Sequence, residues 1–476
     1  MAPSKKITIN PLSRIEGHGK VTIHLDENGD VCESRFHVTQ FRGYERFCQG
    51  RPFEEMPVLT QRICGICPVS HQLASAKACD AILGVVVPPT ARRLRELLHM
   101  GQFIQSHALH FFHLASPDLL LGWDADPGRR NVVGLMAAFP DLAMKGIRLR
   151  KFGQEIIKAL GGKKIHPAFA VPGGVMNPLK DEDRGNLLSG FSDAYASTHA
   201  ALGIVKEWLG AHGDEVAQFA NFPSIYAGLV DEKGCPALYD GNMRMRGHDG
   251  GILAEFEPAQ YLGFIAEHVE PWSYLKFPVF KPLGYPTGCY RVGPLGRLNV
   301  VDAMGTFQAQ AAFDDYRQRT ANGLKGGSLF FHYARLIELL YCLEKAETLL
   351  EDERICGRDI RISSNPAHRE GVGVIEAPRG TLIHHYRVDK YGILEAVNLI
   401  VATGHNNLAM NRSVDLVARA CIRGGEVREG MLNRIEGAIR CYDPCLSCST
   451  HAVGQMPLVI DIFSSTGARV KTLGST

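Results

Sequence analysis

The chain has 476 residues, 45% of them hydrophobic and 21% charged, which are the proportions of an ordinary globular protein in water. Its 52 basic residues nearly balance 50 acidic ones, so a net charge of +2 builds in no pull toward nucleic acid or an anionic membrane. No apolar run approaches the roughly 18–20 residues a membrane span needs, and residues 1–18 carry no apolar segment of the secretory kind, so a cytoplasmic protein without direct membrane insertion is expected.

The first element in the chain reads as a β-hairpin. Lys20 to Leu25 alternates with period two, Asp26-Glu27-Asn28-Gly29-Asp30 supplies turn chemistry, and a second extended run goes from Val31 to about Phe41. From about Pro68 the period becomes helical. Between Thr90 and Ala115 the apolar residues Leu94, Leu97, Leu98, Phe103, Ile104, Leu109 and Phe112 predict one long buried helix. Similar stretches cover roughly residues 183–210 and 328–352, with Pro/Gly-rich loops near 166–174 and 278–286 between them. Strand-like alternation returns at about 381–401, before a last helical stretch. The expected fold is α+β and predominantly helical, with a core of long bundled helices and a small N-terminal β-hairpin or sheet region. Residues 1–451 read as one compact domain, β-rich over 1–50. Arg-Ile-Glu-Gly occurs at 14–17 and again at 434–437, but no longer self-similarity makes this a repeat protein.

Thirteen cysteines, an odd number in a reducing compartment, point to metal or redox thiols plus some inert buried ones rather than to disulfides. Two pairs stand out: Cys64-Gly65-Ile66-Cys67 and Cys445-Leu446-Ser447-Cys448, separated by most of the chain. Two intervening residues let both sulfurs of a pair face one ion. Pro68 follows the first pair and Pro444 precedes the second, and a helix starting there would present its positive end to the thiolates. His71 and His451 lie near enough to serve as ligands or as partners that orient the sulfurs. Spacing alone leaves open a structural zinc site, which base rates favour, a catalytic soft-metal site, and unrelated thiols. Ligand softness does not separate zinc, nickel and iron.

The residues around these pairs resemble the signatures of nickel–iron hydrogenase large subunits. The first reads Arg62-Ile63-Cys64-Gly65-Ile66-Cys67-Pro68-Val69-Ser70-His71, and the second Asp443-Pro444-Cys445-Leu446-Ser447-Cys448-Ser449-Thr450-His451. Further matches, in the expected order, are residues 11–18 (PLSRIEGH), 41–45 (FRGYE), 172–175 (PGGV) and 376–380 (EAPRG). The resemblance implies that the four cysteines hold nickel, Cys64 and Cys445 as terminal ligands and Cys67 and Cys448 as bridges to an iron carrying CO and two cyanides. It implies heterolytic cleavage of H2, with the Cys445 thiolate as base and Glu16 as proton relay. Arg379 resembles the arginine that hangs over the metals, with Asp118 and Asp443 as its carboxylate partners. Pro378 would contact the cofactor, and Thr403 would donate to a cyanide. Glu45, His451 and the backbone carbonyl of Leu399 resemble a separate magnesium or iron site.

The resemblance also implies that a maturation endopeptidase removes residues 452–476 after nickel chaperones have delivered the metal, although residues 457–463 have strand character of their own. The wording of residues 450–458 is similar to NAD-reducing soluble hydrogenases. Gly17-His18-Gly19 and Gly371-Val372-Gly373 lack the third glycine and βαβ context of a dinucleotide fingerprint, so NAD, FMN and iron–sulfur clusters would sit on partners: an iron–sulfur small subunit and flavin-containing diaphorase subunits. His107, His110 and His113, three apart on the long helix, read as packed residues, as do Cys79 and Cys342. The rival readings are a quinone-module subunit of the respiratory complex I type, which shares the fold but lacks the cysteine quartet, and a structural zinc protein.

Overall fold

A computed structural model describes residues 5–320, 322–451, 459–464 and 467–474. Strands β1 (Lys6–Ile9), β2 (Gly19–Leu25) and β3 (Val31–Val38) form an antiparallel sheet in that order. The β2–β3 turn closes as its sequence dictates, with the backbone N–H groups of Asn28 and Asp30 donating to Asp26 Oδ1 (2.9 Å each). The loop between β1 and β2 carries Glu16.

Helix α1 (Pro68–Leu83) begins directly at Cys67, with Pro68 as its first residue, where the missing N–H costs no hydrogen bond. The next helix, α2 (Pro89–Leu109), is the long one predicted from periodicity, but it does not run unbroken to Ala115. A wider π turn spans His110–Ala115, where the Ser116 hydroxyl donates to Phe111 O (2.6 Å), and a short helix follows at Ser116–Leu121. Two further helices, α3 (Pro140–Gly161) and α4 (Phe191–Ala211), complete this side of the bundle. The helical stretch expected from 183 to 210 is divided at Ser189-Gly190, where a Cβ on Gly190 would lie 2.6 Å from the Phe152 ring.

Residues 225–291 form what periodicity misses, a four-stranded sheet. It consists of β4 (Ile225–Val230), β5 (Asn242–Arg246), β6 (Ile252–Phe256) and β7 (Tyr290–Arg291) in the order β7-β4-β5-β6, with β7 parallel to β4. Every residue of β4 is buried, so no alternation marks it. Helix α5 (Gly293–Val300) is followed by a helix at Phe307–Gln318 and then by α6 (Phe330–Glu351), the bundle's centre, which packs on α2 and α4. The meander β8 (Glu370–Ala377), β9 (Gly380–Val388) and β10 (Leu394–Ile400) lies against α1. Gly373 permits that approach, since a Cβ there would lie 2.0 Å from Ala74 O. Helices α7 (Asn407–Cys421) and α8 (Glu429–Arg440) precede the second cysteine pair.

One apolar core runs from Ile9 to Cys448, and a smaller cluster fills the four-stranded sheet. Beyond His451 the described residues form a hairpin, Val459–Phe463 paired with Arg469–Gly474, as the strand character there suggested; residues 452–458 lie outside the described part.

The α2–α3 contact is set by Gly153, where a Cβ would lie 2.6 Å from Gln105 N and 2.7 Å from Gly101 O. Both neighbours are backbone, so the helices themselves must separate. Gly153→Ala is expected to cost about 1–3 kcal/mol, read as a lower thermal midpoint.

Candidate metal centre

Each cysteine pair is presented by a turn with its own fastenings. Cys64 is extended, and Ile66 N–H donates to its sulfur (3.2 Å), turning the chain back so that Cys67 caps α1. The Ile66 carbonyl accepts from the side-chain amides of Gln102 (2.8 Å) and Gln105 (2.7 Å), three residues apart on α2, and His166 Nε2 meets Cys64 O at 3.1 Å. The second pair follows α8. Asp443 has φ +53°, a left-handed conformation that Asp tolerates better than most residues, and this swings the chain away from the helix axis. Cys445 then pairs with Glu16 as an isolated parallel bridge, with Leu446 N–H donating to Glu16 O (3.0 Å). Cys445 N–H donates to Thr403 Oγ1 (2.9 Å).

These fastenings bring together sulfurs 381 positions apart in sequence. Cys64 and Cys445 are 3.4 Å apart, as are Cys67 and Cys448, while Cys445 and Cys448 are 2.8 Å apart. All four lie within 4.8 Å of one another, and no residue of the set exceeds 6% exposure. Burial pushes the Cys445 and Cys448 thiols well above the ordinary thiol range, whereas Cys67, hydrogen-bonded by Cys445, Cys448 and Cys64, is held well below it. A buried cluster of four soft donors suits thiophilic cations, which would draw the sulfurs together as thiolates.

Arg379 and Asp443 stand beside the sulfurs. Arg379 Nε donates to Asp443 O (2.6 Å), and Nη2 lies 3.1 Å from the Asp443 carboxylate. Burial opposes the guanidinium charge, but Asp443 and the cysteines outweigh it and hold the arginine firmly protonated. Its Nη1 is buried and has no hydrogen-bond partner among the described residues. A buried cationic donor left free beside four sulfurs fits a centre that brings its own acceptor groups. On the other side, Cys445 Sγ donates to Glu16 Oε2 (3.0 Å), and the same oxygen accepts from Ser447 N–H (3.2 Å). The Ser447 hydroxyl donates to Glu16 Oε1 (2.5 Å) and lies 3.0 Å from Gln40 Nε2.

The family model described as nickel-dependent hydrogenase matches residues 42–124 and 212–451, and one described as HoxL-like matches residues 6–41. The chain belongs to the nickel-dependent hydrogenase family. It is 44% identical to the NAD-reducing hydrogenase HoxS subunit beta of Cupriavidus necator, over 98% of each chain. It is 43% identical to a chain of the F420-non-reducing hydrogenase of Methanothermobacter thermautotrophicus, over 98% of this chain and 100% of that one. Its backbone superposes on the crystal structure of an NAD+-reducing nickel–iron hydrogenase in the H2-reduced state with a TM-score of 0.92. That match has 48% identity and covers 94% of this chain and 100% of the other.

Within this hydrogenase fold one expected pairing is corrected. Asp118 is not a partner of Arg379; its carboxylate is taken by Arg14 and Arg440, with Asn433 donating at 3.1 Å. The π turn and the short helix after it deliver Asp118 to these two arginines, which sequence spacing does not reveal. Pro378 stands in the two-residue turn joining β8 to β9, ahead of Arg379. The Thr403 hydroxyl accepts from Cys445 N–H and so keeps its own hydrogen to donate.

Glu45, Leu399 and His451 line one small cavity together with Glu267, Lys276 and Ser449. Leu399 meets Glu45 through its N–H, which donates to Oε1 (2.9 Å). Burial raises the Glu45 carboxyl and lowers the His451 imidazole to about 3. The three helix histidines are elsewhere: His107 bonds Glu338 (3.0 Å), His110 bonds Arg440 O (2.9 Å), and none joins the sulfur cluster. Cys79 and Cys342 are core residues. Sequence reasoning missed Gln40, Ser447, Gln102, Gln105 and His166. Only the two glutamines on α2 left a trace, as polar residues breaking an apolar stripe.

Burial alone would raise the Asp118 carboxyl, but Arg440 and Arg14 outweigh it and hold it below its ordinary 3.8. A lowered folded-state pKa stabilises above the unfolded value and is lost as pH falls through the folded one. Asp118→Asn leaves Arg14 without its counter-charge and Arg440 with Glu436 alone. It is expected to cost about 3–5 kcal/mol at neutral pH and to flatten the stability loss below about pH 4, both measurable by thermal unfolding across pH.

Proposed function

We propose that this chain is the catalytic large subunit of an enzyme that splits and forms H2 reversibly at a nickel–iron centre. Electrons would leave through an iron–sulfur small subunit and flavin-containing diaphorase subunits to NAD or NADP. The observation that carries this reading is the closure of four buried sulfurs beneath an arginine with one free donor, in a chain of this family. Cys64, Cys67, Cys445 and Cys448 would hold the metals, with Cys67 and Cys448 shared between nickel and an iron bearing CO and two cyanides. Arg379 Nη1 and the Thr403 hydroxyl would donate to those cyanides, with Pro378 packed against them.

When bound, the metal pair polarises H2 so that the bond parts heterolytically. The chain's own residues handle the proton. The Cys445 sulfur receives it and Glu16, 3.0 Å away, takes it on. Glu16 is half-buried, with one oxygen toward the sulfur and the other toward Ser447, so its carboxyl group connects the dry interior to the polar loops above. Asp443 holds Arg379 in place and balances its charge, and the apolar walls of the core exclude water. H2 formation follows the same route in reverse.

Glu45, His451 and the Leu399 carbonyl would hold magnesium or ferrous iron, a reading supported by two carboxylates, Glu45 and Glu267, facing one cavity. Residues 1–451 would be the working domain. Nickel chaperones would fill the site and a maturation endopeptidase would then remove residues 452–476, consistent with His451 being buried beside Cys448. Among the described residues no helix is long and apolar enough to cross a membrane. The quinone-module reading has no use for four converging sulfurs, and the zinc reading has none for a carboxylate held against one of them.

Metal analysis and infrared spectroscopy of the purified complex test this directly. Nickel and iron with CO and cyanide bands are expected; stoichiometric zinc without nickel overturns the reading. Glu16→Gln is expected to keep its nickel while H/D exchange falls by about 100-fold or more. Near-normal exchange would remove Glu16 from the proton route.

A further inference from the structure

The turn that presents Arg379 is gripped from behind by a second buried arginine. Arg297 lies on α5 and is fully enclosed. Its Nε and Nη2 donate side-on to the two carboxylate oxygens of Glu338 on α6 (2.5 and 2.7 Å). The remaining donors face the hairpin. Nη1 donates to Glu376 Oε2 (2.7 Å) and to Ala377 O (2.9 Å), and Nη2 donates to Pro378 O (3.2 Å). The two carbonyls it holds belong to the residues immediately before Arg379.

The neighbours of Arg297 are themselves fixed. The other oxygen of Glu376 accepts from the Thr381 hydroxyl (2.8 Å) and Leu229 N–H (3.1 Å), so the strands on both sides of the turn share one carboxylate. Glu338 is also bonded by His107 (3.0 Å). The first residue of α5 touches the turn as well: a Cβ on Gly293 would lie 2.8 Å from Arg379 O. Asp443 holds the Arg379 side chain at its tip, but that leaves the backbone of the turn to be fixed separately. Here its backbone carbonyls are pinned to the bundle's central helix.

We infer that Arg297 is a positioning residue: by clamping the carbonyls of Ala377 and Pro378 to Glu338, it aims the free Nη1 of Arg379 at the four sulfurs. This rests on the proposed role of Arg379. A planar fork can hold one carboxylate side-on while reaching three further acceptors; an ammonium on a flexible stem keeps the charge but cannot reproduce that geometry. A purely structural ion pair would need only the charge.

The test compares wild type with Arg297→Lys and with the isosteric Glu338→Gln, each purified as the full complex. Nickel content, kcat, KM for H2 and hydrogen–deuterium exchange of peptides over 376–381 and over α8 are measured. In nickel-replete Arg297→Lys, exchange over 376–381 is expected to rise about tenfold with α8 unchanged. In the same protein kcat is expected to fall by about 10–100-fold with KM little altered. Glu338→Gln should move the same quantities in the same direction by less, and it decides the matter if Arg297→Lys does not fold. Exchange unchanged at the turn, or raised equally everywhere, overturns the inference. So does local loosening with wild-type kcat. Failure of the hydrogenase reading is distinct: it appears in the wild type as missing nickel and missing H2 turnover, while exchange at the turn stays readable.

Discussion

Sulfur anions shun a dry interior, and like charges held within a few ångströms shun one another. The structure gathers four cysteine sulfurs into one buried cluster, and much of its architecture consists of what makes that arrangement tolerable. Each half is held largely by hydrogen bonds to its backbone, in addition to those the sulfurs make. Two glutamines and a histidine fix the turn around Cys64 and Cys67, while the Glu16 bridge and Thr403 fix Cys445. The sulfurs can therefore be aimed before any ion is present, which lowers the cost of binding one.

Arginine is the second theme. Arg379 supplies positive charge beside the cluster, Asp443 restrains it, and Arg297 fixes the turn that carries it. Further out, Arg14 and Arg440 share Asp118 and tie the N-terminal loop to the end of α8. Buried ion pairs of this kind contribute little net stability compared with apolar packing, so their value lies in geometry. They leave few alternative ways to arrange the loops around the site.

The amino-acid pattern made much of this legible. The hairpin showed through its period-two residues and turn, α2 and α6 through helical spacing, and the quartet through its two C-x-x-C turns. What stayed hidden depended on contacts between distant segments. Strand β4 is buried on both faces, so it lacks alternation, and its sheet was not predicted. The apolar residues of α3, such as Leu142, Leu149 and Ile156, do have helical spacing, but paired glycines rather than side chains set its fit on α2. Asp118 was expected, from the resemblance, beside Arg379, but the π turn and short helix that carry it deliver it to Arg14 and Arg440. Ser447 sits inside the second cysteine motif, yet only the folded chain shows its hydroxyl against Glu16.

The bridge between Glu16 and Cys445 has a bearing on biosynthesis. A ribosome releases Glu16 and the first cysteine pair long before the second pair exists, so until then the socket lacks one wall. Its last wall is also the last stretch of core to be made. Until it is made, only two of the four sulfurs exist, so the complete metal-binding group is a product of the finished core.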